Sequence, residues 1–258
     1  MILSFFEHLP LRSCYEPNQV SVCGEDYPDD PSPNLAILSD MSPRPAKRPA
    51  KPHKKTPRTA KPPKPTKLRI IGGDMGGRTV LYHGADFTRP MKDNIRENLF
   101  NLLGMAVSGT ICFDLFAGTG VLGIEAISRG AGSAVLIEQN RRAATFIRKT
   151  TESLEIESKV QLLVGDTFRL ANNLLAAPVN DTPWTVLLCP PYALWHERPD
   201  DLKRIIQHVI DNGPPGSVLV AETEKQFDTE WFPGGPWDNR IYGGTKLAIT
   251  RPASLCGM

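Results

Sequence analysis

Residues 110–123 read TICFDLFAGTGVLG, and this stretch decides the fold. Its first half is apolar with one acid, Asp114, at its end, the pattern of a buried strand. Its second half places Gly118, Gly120 and Gly123 where a strand must turn sharply into a helix. Glycine allows the backbone to take that turn and lets a ligand approach it closely. A strand, a glycine turn and a helix in this order begin a nucleotide-binding unit.

The chain continues in the same rhythm. Strands are expected at 110–115, 134–138, 160–164, 185–188 and 217–222, with helices at 121–128, 141–154, 167–176 and 199–212 between them. A last pair of strands is expected at 240–242 and 246–250. Alternating strands and helices imply an α/β fold, a mostly parallel sheet with helices on both faces. Ligands then bind at the carboxyl ends of the strands, near the switch in strand order. Upstream, residues 68–82 read as a β-hairpin, with Gly72, Gly73, Gly76 and Gly77 between its arms. Residues 90–104 read as a helix, with Ile95, Leu99, Leu102 and Leu103 on one face and Arg96 and Glu97 turned away from it.

Charge is unevenly spread over the 258 residues. Residues 1–40 hold one basic and seven acidic residues, whereas 41–69 hold eleven Lys or Arg and no acid. Residues 1–67 also contain 13 of the 24 prolines, so this segment is expected to be a disordered, extended arm. A basic arm of this kind can tether to RNA phosphates, with salt-sensitive affinity; a solvated tail is the plainer alternative. Met41 opens the basic part, so residues 1–40 are open to being a mis-assigned start. The globular remainder, 68–258, reads as one domain. No run is apolar and long enough for a membrane span, and MILSFF is too short for a signal core. The five cysteines show no metal-site spacing, so no metal is expected, and free thiols suit a cytoplasmic protein.

Three acids end three successive strands. Asp114 can take an α-ammonium group, whereas a pyrophosphate would be repelled there. Glu138 can accept two ribose hydroxyls, although dinucleotide folds use an acid at that point too. Asp166 can meet an adenine amine, or cap the helix that follows it. Together they favour S-adenosyl-L-methionine. The strand at 185–188 then exits through Cys189-Pro190-Pro191-Tyr192. It is expected beside the first strand, so this turn would face the methyl donor. A rigid proline turn with an aromatic suits a flat base, which Tyr192 can stack upon. A rigid strand exit with a buried tyrosine is the bland alternative.

From about Arg69 to Arg251 the chain resembles the RsmD-type family of bacterial 16S ribosomal RNA guanine-N2 methyltransferases. The carrying segments are RIIGG at 69–73 with Gly77-Arg78, RPMKDNIRENLFNLL at 89–103, DLFAGTGVLGIEAISRGA at 114–131, VLIEQN at 135–140 and PPY at 190–192. The resemblance implies a Rossmann-like class I methyltransferase sheet preceded by a small β-hairpin extension. It implies methyl transfer to the exocyclic amine of a guanine in the small ribosomal subunit or an assembly intermediate of it; apart from the resemblance, nothing in the sequence suggests more than a monomer. By position, Asp114, Phe116, Gly118, Gly120, Glu138 and Asp166 would bind cofactor, and Cys189, Pro190, Pro191 and Tyr192 would form the catalytic turn. Arg89, Lys92, Arg96 and Asn101 would lie near the cofactor or the RNA, and Arg69 and Arg78 would grip the RNA backbone. Cys189 departs from the family, which carries Asp or Asn there as an acceptor for the amine. A thiol is a weak acceptor. An RNA-binding assembly factor that has lost activity is therefore a competing expectation, and an adenine-N6 methyltransferase a more distant one.

Overall fold

The structure, a computed structural model, describes residues 66–82, 84, 90–175 and 180–252. Residues 1–65 of the acidic and basic arm and Arg89 lie outside the described residues, as does the expected end of a helix at Ala176; the last two residues assigned to the arm, Thr66 and Lys67, belong instead to the first strand of the hairpin.

Two sheets form. A hairpin of β1 (Thr66–Arg69) and β2 (Thr79–Tyr82) is antiparallel, pairing Lys67 with Leu81 and Arg69 with Thr79. The main sheet has seven strands: β3 (Ile111–Asp114), β4 (Ser133–Glu138), β5 (Val160–Val164), β6 (Trp184–Leu188), β7 (Val218–Glu224), β8 (Asp238–Tyr242) and β9 (Thr245–Thr250). Their order is β5-β4-β3-β6-β7-β9-β8, parallel through the first five and antiparallel at β9 and β8. This is the Rossmann-like arrangement of the methyltransferases. The order switches at β3, whose neighbours are β4 on one side and β6 on the other.

The helices are α1 (Asp93–Leu103), α2 (Val121–Ser128), α3 (Arg141–Leu154), α4 (Thr167–Leu174), α5 (Ala193–Glu197) and α6 (Pro199–Asn212). The central strands are apolar throughout because helices cover both faces. Two cores result. One packs Cys112, Leu136, Leu187 and Val220 of the sheet with Leu99, Ile124 and Ile147 of α1, α2 and α3. The other packs Phe113, Val186 and Leu219 with Ala171, Trp195, Leu202 and Ile206 of α4, α5 and α6. Successive strand residues alternate between these cores, as the pleat requires. By that alternation, Asp114 follows Cys112, Cys189 follows Leu187 and Glu222 follows Val220, so all three project from one face.

Three expectations are corrected. The helix expected from Pro90 begins at Asp93, whose carboxylate sits in the first turn near the positive helix end. Arg96 does not turn outward with Glu97; it is completely buried. Its guanidinium donates to Asp93 Oδ1 at 3.1 Å, to the Arg69 carbonyl at 2.6 Å and to the Met91 carbonyl at 3.3 Å. The stretch after the proline turn, for which no element was expected, contains the short helix α5, which buries Trp195; the Trp195 Nε1–H donates to the Glu222 carbonyl at 2.8 Å.

The hairpin is fastened to the sheet domain by buried charge. Glu125 on α2 accepts from Ile71 N–H at 2.7 Å, Gly72 N–H at 2.8 Å and Arg129 Nε at 2.9 Å. Arg96 Nε lies 3.6 Å from the same carboxylate. Gly73 (φ +74°) runs so close to α2 that an added Cβ would sit 1.8 Å from the Ser128 carbonyl oxygen. Only glycine fits there.

Candidate active site

The site forms where β3, β4 and β5 end beside β6 and β7. Asp114 closes β3 and is fully buried. Its Oδ2 accepts from Gly123 N–H at 3.0 Å, while Oδ1 is buried without a partner in the protein. A buried, unpartnered carboxylate oxygen is costly unless a ligand donor meets it. Burial pushes the Asp114 carboxyl up to about 7; the Glu138 charge adds to this, and the Gly123 and Phe116 N–H groups oppose it. An ammonium group at Oδ1 would return it to the charged form.

Gly120 caps the start of α2 in the left-handed region (φ +76°), and an added Cβ would press on Ile147 and Leu136. The turn thus lies close against the core, with Gly118 half-buried and Gly120 buried. Glu138 closes β4. Its Oε2 accepts from Gly118 N–H and its Oε1 from Asn140 N–H, both at 2.7 Å. These bonds aim the carboxylate over the glycine turn, and each oxygen keeps a second lone pair for a ribose hydroxyl. Burial raises Glu138 above the ordinary carboxylate range, and the two N–H groups counter it. Asp166 caps α4 through Phe168 N–H at 3.0 Å, so the capping role expected as an alternative is present. Phe116 meets Phe168 edge to face, with centroids 5.8 Å apart. Arg198 lies over the Phe168 ring at 4.0 Å. The residues present fit an adenosyl group bearing an ammonium.

The proline turn follows directly on the neighbouring strand β6, whose Leu187 pairs with Asp114. Pro190 is buried and Pro191 exposed. The Pro191 carbonyl accepts from Leu194 N–H at 2.9 Å, so the turn is continuous with α5. The Tyr192 hydroxyl donates to Glu222 Oε1 at 3.0 Å and lies 2.8 Å from Thr245 Oγ1. Burial pushes Tyr192 up to about 12, so the phenol stays neutral, and its hydroxyl is held by Glu222 and Thr245. Burial also pushes the Cys189 thiol well up, with Glu222 and Asp114 adding to it. Cys189 is therefore a neutral thiol and a poor nucleophile.

The residues read as RNA contacts separate. Arg69 and Lys92 are exposed, Arg69 with its Nε on Asp93 Oδ2 at 2.9 Å. Arg78 donates to the Ser153 carbonyl at 3.0 Å and the Leu154 carbonyl at 3.4 Å, docking the hairpin on the last turn of α3. Arg96, buried among these elements, has no path to RNA. Asn101 accepts from Arg129 at 3.4 Å. Sequence reasoning missed two acids. Glu125 looked like one more helix residue. Glu222, in the strand VLVAETE, gave no sequence signal, because its place beside Cys189 follows from the register of β7 against β6.

The family described as Conserved hypothetical protein 95 matches residues 68–251. YlbH of Bacillus subtilis is 33% identical over 191 residues, 70% of this chain and 97% of its own length. The ribosomal RNA small subunit methyltransferase D of Buchnera aphidicola subsp. Baizongia pistaciae is 36% identical over 175 residues, 67% of this chain and 84% of its own. Among solved structures, yhhF from Escherichia coli superimposes with a TM-score of 0.58 at 28% identity, covering 71% of this chain and 97% of that one.

Proposed function

This chain belongs to the family described as Conserved hypothetical protein 95, that of the RsmD-type ribosomal RNA methyltransferases; from that premise we propose that it methylates the exocyclic N2 amine of a guanine in small-subunit ribosomal RNA. One observation carries the reading. Asp114, with its buried unpartnered oxygen, and the Cys189–Tyr192 turn stand side by side on paired strands. A donor held by the first is thereby within reach of a base held by the second.

S-Adenosyl-L-methionine, when bound, supplies an electrophilic methyl group. Asp114 holds its ammonium, Gly118 and Gly120 shape the bed for it, Glu138 takes the ribose hydroxyls and Asp166 with Phe168 borders the adenine. Pro190 and Pro191 fix the turn, and the Tyr192 ring lies against the target base. Catalysis is then chiefly proximity and orientation. The exposed Arg69 of the hairpin and Lys92 before α1, with Arg89 and the basic arm, would meet RNA phosphates. The substrate is the small ribosomal subunit or an assembly intermediate of it, met in the cytoplasm by a monomer.

Cys189 favours a second reading, an assembly factor that binds the subunit and the cofactor without turning over. Purified protein, small subunits lacking the modification and labelled S-adenosyl-L-methionine separate the two. Label in ribosomal RNA supports the enzyme. Binding of both partners without label supports the factor.

A further inference from the structure

Glu222 is used by none of the roles above, yet it is placed among them. β6 and β7 are parallel with Leu188 beside Ala221, so Cys189 and Glu222 are the next pair along. Both lie on the face that carries Asp114, giving a row of three strand ends: Asp114, Cys189, Glu222. The Tyr192 hydroxyl folds back onto Glu222 Oε1 at 3.0 Å, which brings the carboxylate under the proline turn. The Trp195 indole fixes the backbone carbonyl of the same residue. A carboxylate thus stands one strand over from the position that lacks an oxygen.

We propose that Glu222 is the acceptor for the target amine, so that this chain carries on β7 the oxygen that position 189 does not provide. The inference rests on the methyl-transfer reading. In the step, the amine nitrogen's lone pair forms the new bond to the methyl carbon. The carbon–sulfur bond breaks with its electron pair passing to sulfur. The nitrogen then loses a proton to the Glu222 carboxylate, from which solvent removes it. Cys189 stands beside that carboxylate on the neighbouring strand, where Asp or Asn would instead face the amine with an oxygen of its own. Burial raises Glu222, and the Tyr192 and Cys189 hydrogen bonds moderate it, which leaves a stronger base than a surface glutamate.

The test uses full-length chains and methyl transfer to small subunits under single-turnover conditions. Glu222→Gln retains an acceptor for the Tyr192 hydroxyl but cannot take a proton. Its transfer rate should fall about 100-fold, the scale of a lost general base. S-Adenosylhomocysteine affinity should be unchanged, and Cys189→Asp added to Glu222→Gln should recover most of the loss. A second measurement is independent of turnover. With S-adenosylhomocysteine present, guanosine should bind the wild type about tenfold more tightly than inosine, which lacks the N2 amine. Glu222→Ala should abolish that preference. A rate within threefold of wild type in Glu222→Gln would overturn the proposal, as would an equal guanosine preference in Glu222→Ala. A loss that Cys189→Asp cannot rescue would also overturn it. A wild-type chain that transfers no methyl would overturn the underlying reading and this one together.

Discussion

Replacing Glu125 by leucine should detach the hairpin from the sheet domain. The carboxylate accepts two backbone N–H groups, at 2.7 and 2.8 Å, and Arg129 at 2.9 Å. It also faces Arg96, whose side chain is fully buried and whose Nε has no other partner. Breaking a buried pair by removing one member costs roughly 3–5 kcal/mol, because the other charge stays buried. In a domain of this size that lowers Tm by roughly 6–20 °C. Arg96 retains Asp93 and two carbonyls, which places the expectation at the lower end of the range. Urea unfolding of Glu125→Leu, Arg96→Met and the double variant measures it. The two single losses should exceed the double loss by about 1–3 kcal/mol, since the partners are coupled. Amide exchange at Ile71 and Gly72 should accelerate in Glu125→Leu well beyond the global change. A stability loss below about 1 kcal/mol, or additive single losses, would refute the view that this pair fastens the hairpin.

Other outcomes can be checked directly. Asp114 is held near 7 when folded, above its ordinary 3.8, so its contribution to stability is present at low pH and is lost as pH rises toward 7. Cofactor-free Tm should accordingly fall between about pH 4 and 7 and level off above 7 in the wild type, and fall less in Asp114→Asn. S-Adenosylhomocysteine affinity should move the other way, weakening by up to about tenfold per unit as pH drops below 7, since its ammonium needs the ionised carboxylate; calorimetry in the same pH series reads this. Cys189→Asp alone should raise the transfer rate on small subunits, because a second oxygen then faces the amine; an unchanged or lower rate would count against that role for position 189. Removing residues 1–65, which leaves β1 whole, should weaken subunit binding and flatten its salt dependence while leaving cofactor affinity unchanged, and equal salt slopes would identify the arm as idle.

The sheet was legible because buried parallel strands are short apolar runs between glycine turns. The run 134–138 is such a case, and β4 is found at Ser133–Glu138. The positions of Asp114 and Glu138 at the ends of β3 and β4 were legible for the same reason. Arg96 was not. A guanidinium at a buried helix position reads as a solvent-facing residue until its partner is known, and Glu125 lies 29 positions away in the chain. Helix α5 has five residues, too few for a periodic signal. Glu222 belonged to a strand whose register against β6 only the folded sheet defines. Cys189 looked like an isolated defect until that neighbour was in view.

Nucleoside mass spectrometry of small-subunit ribosomal RNA, isolated from subunits incubated with this protein and labelled S-adenosyl-L-methionine, tests the central claim most directly. The account predicts label in N2-methylguanosine at a single position. Label in another nucleoside, or none while subunit and cofactor both bind, would contradict it.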